Sequence, residues 1–355
     1  SGGDRDGNPF VTSETTLQVS DALRRAILRC YHTDIRRLRR RLTFANVESA
    51  VIELERLIYR EAFEARNTQA SGSDQRVRTG SDSDWVPRDT SLTKPEILTK
   101  LGTIRSDLIN GHNGLFVHLV DDLINKVEIF GLHFASLDIR QEGSEHEKVL
   151  QDIGDASGEF DYGSLKNDEK IGLLLNAAKS SSPDDLPNEL SRDTLRTIAA
   201  VRDIQRRNGE PGCHRYIISQ CQSALHVVEV IGLFLAGGWK MEDLTVDIVP
   251  LFETITDLQH APAIMRELYD LPAYREHLQR RGNRQTIMLG FSDGTKDGGY
   301  LMANWSIYKA KDELTQVSRE FGINVVFFDG RGGPPARGGG KTHKFYSSMG
   351  QNVAD

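Results

Sequence analysis

Apolar residues recur at helical spacing from about Glu14 to Arg66: Leu17, Val19, Leu23, Ile27, then Ile35, Leu38, Leu42, then Val51, Ile52, Leu54, Leu57 and Ile58. Residues three and four apart share one face of a helix, so this pattern predicts two or more long amphipathic helices. Within them the run IRRLRRRL (35–42) repeats its apolar residues on that face and turns its arginines outward, as a solvated face does. Residues 67–93 are polar and turn-rich and predict a mobile loop. Helical spacing returns from about Lys94 to Phe130.

The texture then changes. Short β-like runs follow one another, each leading into a loop and a helical stretch: LHFASLDI (132–139), HRYIISQ (214–220), VDIVPLF (246–252), QTIMLGF (285–291) and INVVFF (323–328). Strands alternating with helices predict a parallel sheet, and nearly continuous apolar runs suit strands covered on both faces. VVEVIGLFLAGGW (227–239) reads as a buried helix between two of them.

Charged residues stand at or just beyond four of the runs: Asp138 and Arg140, Glu253, Asp293 and Lys296, Asp329 and Arg331. Charges collected at the C-terminal ends of successive parallel strands are the layout of a β/α-barrel site. An open α/β sheet places its ligand similarly, but five units without a dinucleotide fingerprint fit a barrel better. The expected organisation is a helical region over 1–130 and a partial barrel over 131–355.

The charge of −7 argues against a general nucleic-acid binder, so the local basic clusters need another explanation. No apolar run approaches the roughly 18 residues that cross a bilayer, and the polar opening SGGDRDGN predicts no signal peptide. Cys30, Cys213 and Cys221 are odd in number and lack CxxC spacing. They read as reduced core thiols of a cytoplasmic protein.

Two carboxylates from separate strand tips, Glu253 and Asp293, can share one hard divalent ion; with no His or Cys beside them Mg²⁺ or Mn²⁺ suits best. Equally, each can cap a helix or pair with a nearby arginine. Arg140, Arg331 and Arg337 supply planar guanidinium groups of the kind that grip phosphate or carboxylate, and glycines at 330, 332, 333 and 338–340 let backbone N–H groups approach an anion. GGGKT is not the tail of a phosphate-binding P-loop, because the pattern needs Gly where Pro335 stands. DRDGNPF (4–10) misses the calcium-loop spacing and reads as a tight turn whose Asp and Asn cap the next helix. His133, His214 and His226 sit in or beside apolar segments and read as packing residues.

Together GGDRDGNP (2–9), FGLHFASLDIRQ (130–141), VPLFET (249–254), LGFSDGTKDGG (289–299) and FFDGRGGPPARGGG (327–340) resemble phosphoenolpyruvate carboxylase, in family order and over nearly the whole chain. The resemblance implies a mainly helical α/β protein with a (β/α)8 barrel of the phosphoenolpyruvate- and pyruvate-binding kind and long additional helices. It implies the addition of bicarbonate to phosphoenolpyruvate, giving oxaloacetate and phosphate. By motif position Glu253 and Asp293 hold Mg²⁺ or Mn²⁺. Arg140 and Arg331 grip the phosphate with Gly332 and Gly333, Arg337 serves bicarbonate or carboxyphosphate, and Lys296 lies beside the substrate.

Two departures stand out. The family commonly carries His before the loop, as FHGRGG, where this chain has Asp329. The segment with the family's catalytic histidine, and the later part with further arginines and the inhibitor site, are not in the sequence. The expectation is therefore a central fragment of a homotetrameric enzyme, inactive alone. The rival readings are another metal-dependent barrel enzyme acting on phosphoenolpyruvate or pyruvate, and a non-catalytic scaffold.

Overall fold

The structure, a computed structural model, describes residues 2–63, 92–176 and 180–330 and the isolated positions 343 and 347, with side chains omitted at 176, 292–295 and 297. Of the loop expected at 67–93, only Leu92, which is buried, and Thr93 lie within the described residues.

Among the described residues four helices form the first part: α1 (Ser13–Arg39), α2 (Val47–Phe63), α3 (Lys94–Gly111) and α4 (Val117–Phe130). Helix α1 starts where the Thr12 side chain accepts the N–H of Thr15, so Thr12 caps it rather than the Asp and Asn of DRDGN. Helix α3 opens on a reciprocal Thr93–Glu96 capping box with Pro95 in its first turn. Leu28, Ile35, Val51, Leu54, Ile58, Leu101 and Ile104 are fully buried in one apolar cluster between these helices. In the basic run Ile35, Leu38 and Leu42 face that cluster while Arg36, Arg37, Arg39, Arg40 and Arg41 are exposed.

Five parallel strands form one sheet in the order β1-β2-β3-β4-β5. They are β1 (Asp138–Glu142), β2 (Arg215–Ser219), β3 (Asp247–Phe252), β4 (Arg284–Leu289) and β5 (Asn324–Asp329). Four agree with the sequence pattern to within two residues. The first does not: the run 132–139 is mostly a turn, with Phe134 in the left-handed region, its N–H on Phe130, and Leu137 N–H on Gly212 O. Leu132 belongs to the helical core instead, so its apolar character reports a different burial.

Helices α5 (Gly143–Ser157), α6 (Asn167–Asn176) and α7 (Glu189–Asn208) connect β1 to β2, and the mostly buried α8 (Ala224–Ala236) connects β2 to β3. Helices α9 (Ile255–Asp270) and α10 (Pro272–Arg280) lead to β4. Helix α11 (Ser292–Glu320), broken at Gly299, leads to β5. The protein is thus a mainly helical α/β chain with a parallel five-stranded sheet. Among the described residues no helix is long and apolar enough to cross a membrane.

The alternation of strand side chains separates two faces. Ile139, Tyr216, Ile218, Ile248, Phe252, Ile287 and Leu289 join the large core under the helices. Ile217, Val249 and Leu251, with Met288, form a small cluster of their own on the opposite face. Arg140 stands in register with Ile217, and Ile217 with Val249, so Arg140 extends that layer on β1.

Candidate active site

The segment GGDRDGNP runs beside β1 as a short parallel pairing. Arg140 N–H donates to Gly3 O at 2.8 Å and Arg5 N–H to Arg140 O at 2.9 Å, bridging Asp4 to Arg140. Gly3 is required by this approach: a Cβ there would lie 2.0 Å from Asp138 O. Extended backbone sends alternate side chains to opposite sides, which explains the order Asp-Arg-Asp. Arg5 points toward α7, where its guanidinium meets Asp193 at 2.6 Å and Thr197. Asp4 and Asp6 point the other way, toward Arg140.

Arg140 is therefore met by three carboxylates. Its Nη2 donates to Asp6 Oδ2 at 2.6 Å and to Glu253 Oε1 at 3.4 Å, and its Nε lies 3.9 Å from Asp4 Oδ1. Nε is buried and has no hydrogen-bond partner among the described residues.

Glu253 follows β3 directly, and its Oε2 accepts the N–H of Gln220 at 3.0 Å. Gln220 lies just beyond β2 with φ 51, a left-handed backbone that a residue with a Cβ seldom adopts, and this strain aims the amide at the carboxylate. Gly290 closes the site from β4. Its N–H donates to Phe252 O at 2.8 Å, and a Cβ there would lie 2.9 Å from Glu253 Cα. Gly290 thus packs directly on the backbone where Glu253 emerges from β3.

Beyond β4 the chain enters the first stretch of α11, which carries Asp293 and the exposed Lys296 before the break at Gly299. The Asp293 side chain is not described. Among the described residues no three His, Cys, Asp or Glu side chains are grouped as metal ligands. β5 ends at Asp329, where Lys311 of α11 holds the carboxylate, and Gly330 N–H donates to Leu289 O at 2.9 Å. Arg331, Gly332, Gly333 and Arg337 follow and lie outside the described residues.

The structure thus brings Arg140 and Glu253 together and adds Asp4, Asp6, Gln220 and Gly290, none of which the sequence reading assigned to the site. The alternation in DRDG was the available signal for the aspartates. Nothing in the sequence marks Gln220. Asp138 is a correction, because it begins β1 instead of ending it and pairs with Arg215 at 2.8 Å. Asp247 pairs likewise with Arg281 at 2.6 Å, so the strand starts carry closed ion pairs. Arg140, also expected at a strand end, stands in the middle of β1, and its Nε has no hydrogen-bond partner among the described residues.

Burial lowers the pKa values of His133, His214 and His226, most of all that of fully buried His146, to about 3. Cys213 and Cys221 are buried thiols pushed up to about 12 by desolvation. Cys30 corrects the expectation of core thiols, since it is exposed on α1.

Comparison with known proteins gives the arrangement its context. The family model described as "Phosphoenolpyruvate carboxylase" matches residues 1–348. Proteins of that name are similar over 97% of this chain, at 33% identity in Nitrosomonas eutropha, 34% in Mycobacterium leprae and 30% in Trichormus variabilis. The chain spans 40% of the length of the first two relatives and 39% of the third. A family model matching nearly every residue is decisive, and the chain belongs to the phosphoenolpyruvate carboxylase family.

Proposed function

We propose that this chain supplies the central stretch of an enzyme that carboxylates phosphoenolpyruvate with bicarbonate to oxaloacetate and phosphate. The observation that carries this reading is the meeting of Arg140 and Glu253 on one side of the sheet, 3.4 Å apart, from β1 and the tip of β3. A cation and a carboxylate from different strands suit a substrate that is both phosphate ester and enol.

The same reading makes the sheet part of a (β/α)8 barrel and divides the chain near residue 130 into a helical part and a barrel part. Sequential parallel strands with helices over one face and the Ile217–Val249–Leu251 layer on the other support it. A cytoplasmic homotetramer is the assembly that family membership suggests.

Arg140 binds the phosphate. A guanidinium presents donors in a fixed fork, and the Arg140 side chain, partly exposed, can offer them to a dianionic oxygen group. Glu253 and Asp293 would hold Mg²⁺ or Mn²⁺. The donor chemistry fits a hard cation: both groups are carboxylates, the oxygen donors such an ion prefers, and the Gln220 N–H orients Glu253 Oε2 at 3.0 Å. When bound, the ion supplies positive charge beside the enol oxygen as charge develops there.

Bicarbonate oxygen attacks phosphorus as the bond from phosphorus to the enol oxygen breaks, giving carboxyphosphate and the enolate of pyruvate. The enolate carbon then takes the carboxyl carbon while the bond to phosphate breaks, releasing inorganic phosphate. Arg331 and Arg337 neutralise the transferring group with Arg140, and Lys296 stands beside the substrate. The layer of Ile217, Val249, Leu251 and Met288 offers an apolar floor that keeps water from protonating the enolate.

The test is Arg140→Gln in a protein of the relatives' full length carrying this chain, with oxaloacetate followed through malate dehydrogenase. The KM for phosphoenolpyruvate should rise by about tenfold or more. An unchanged KM would remove Arg140 from substrate binding.

A further inference from the structure

Asp6 makes the shortest contact of the Arg140 guanidinium, 2.6 Å against 3.4 Å for Glu253. Its position is fixed by more than that contact. Thr16 Oγ1 donates to Gly2 O at 2.7 Å, Asn8 N–H donates to Arg5 O at 3.2 Å, and Phe10 N–H donates to Asn8 Oδ1 at 3.1 Å. Arg5, tied to Asp193, anchors the same turn from behind.

The geometry points to Asp6 as a positioning residue for substrate binding: it holds Arg140 Nη2, keeps the guanidinium from collapsing onto Glu253, and so leaves the partly exposed remainder of the guanidinium for the phosphate group of the substrate. The inference rests on the reading that Arg140 meets that phosphate. Nη2 reaches both carboxylates, so the two compete for it. A guanidinium fully drawn to Glu253 would occupy lone pairs that a cation needs and would withdraw a donor from the anion. With Asp6 in place Glu253 stays a distant partner, while the buried Nε, 3.9 Å from Asp4, makes no hydrogen bond among the described residues. An ordered but incompletely satisfied guanidinium gains the most from an arriving phosphate oxygen.

The test is a double-mutant cycle of Asp6→Asn and Arg140→Gln in a protein of the relatives' full length, with Asp6→Glu as the conservative variant. Asp6→Asn is nearly isosteric and keeps the turn. It should raise the KM for phosphoenolpyruvate on the order of tenfold and leave kcat within about twofold, with partial rescue in Asp6→Glu. The double variant should be no worse than Arg140→Gln alone, because Asp6 acts through the guanidinium. If Arg140→Gln raises KM but Asp6→Asn does not, or if the two effects simply add, the role given to Asp6 is wrong. If Arg140→Gln itself leaves KM unchanged, the reading of the substrate site fails first, and the inference with it.

Discussion

Lys311 Nζ lies 2.9 and 3.0 Å from the two carboxylate oxygens of Asp329. The lysine, 5% exposed, reaches from α11 to the last residue of β5. Where the family resemblance leads one to expect histidine before GRGG, this chain has an ion pair. Removing one partner leaves a charge without its counterion in a partly covered position. Lys311→Met should destabilise the fold by about 2 kcal/mol, less than a wholly buried pair because Asp329 keeps some solvent contact. Urea unfolding measures it, and adding Asp329→Asn should recover part of the loss. A single variant as stable as the parent would mean that the pair contributes nothing.

Gly290 is expected to be intolerant for a local reason. A Cβ would meet the backbone of Glu253 at 2.9 Å and its Cγ at 3.1 Å, so Gly290→Ala must push the β3 tip away. The stability cost should be about 1–3 kcal/mol, as in other overpacked sites. Mn²⁺ affinity should fall as well, because the displaced group is the carboxylate. Calorimetric titration with a folded variant checks this, and an unaltered affinity would detach Glu253 from metal binding.

Two buried groups give stability opposite dependences on pH. Burial lowers His146 to about 3, so the folded chain prefers the neutral ring. Its contribution is present above the ordinary histidine pKa of about 6.5 and is lost as pH falls from there toward 3. Burial raises Glu229, which accepts a 2.9 Å hydrogen bond from Tyr162, to about 7. Its contribution is full below about 4.5 and is lost as pH rises through 7. Glu229→Gln should therefore gain stability relative to the parent between pH 5 and 8, by a few kcal/mol at most. Thermal unfolding across that range reads the slope, and parallel curves for parent and variant would contradict it.

How much of this was legible beforehand follows from what each pattern reports. Hydrophobic spacing reports burial, and burial placed α1 to α4 and four of the five strands. It failed at 132–139, where Leu132 is buried against helices and only the end of the run enters the sheet. Arg140 and Glu253 were legible through motifs. Their partners were not, because the Asp6–Arg140 contact joins residues 134 positions apart and the Gln220 amide is a backbone group. Such contacts are set by strand order and register, which no local pattern encodes. The loop residues Arg331 and Arg337 keep the roles given by motif as proposals.

The most direct test of the central claim, that Arg140 and Glu253 form one site for metal and phosphate, is Mn²⁺ binding followed by water-proton relaxation. The titration is run with and without phosphoenolpyruvate on the parent, Glu253→Gln, Asp293→Asn and Arg140→Gln. Mn²⁺ binding should tighten with phosphoenolpyruvate in the parent, be lost in both carboxylate variants, and persist without the tightening in Arg140→Gln. Mn²⁺ binding that is indifferent to Glu253, or that still tightens with phosphoenolpyruvate in Arg140→Gln, would contradict the claim.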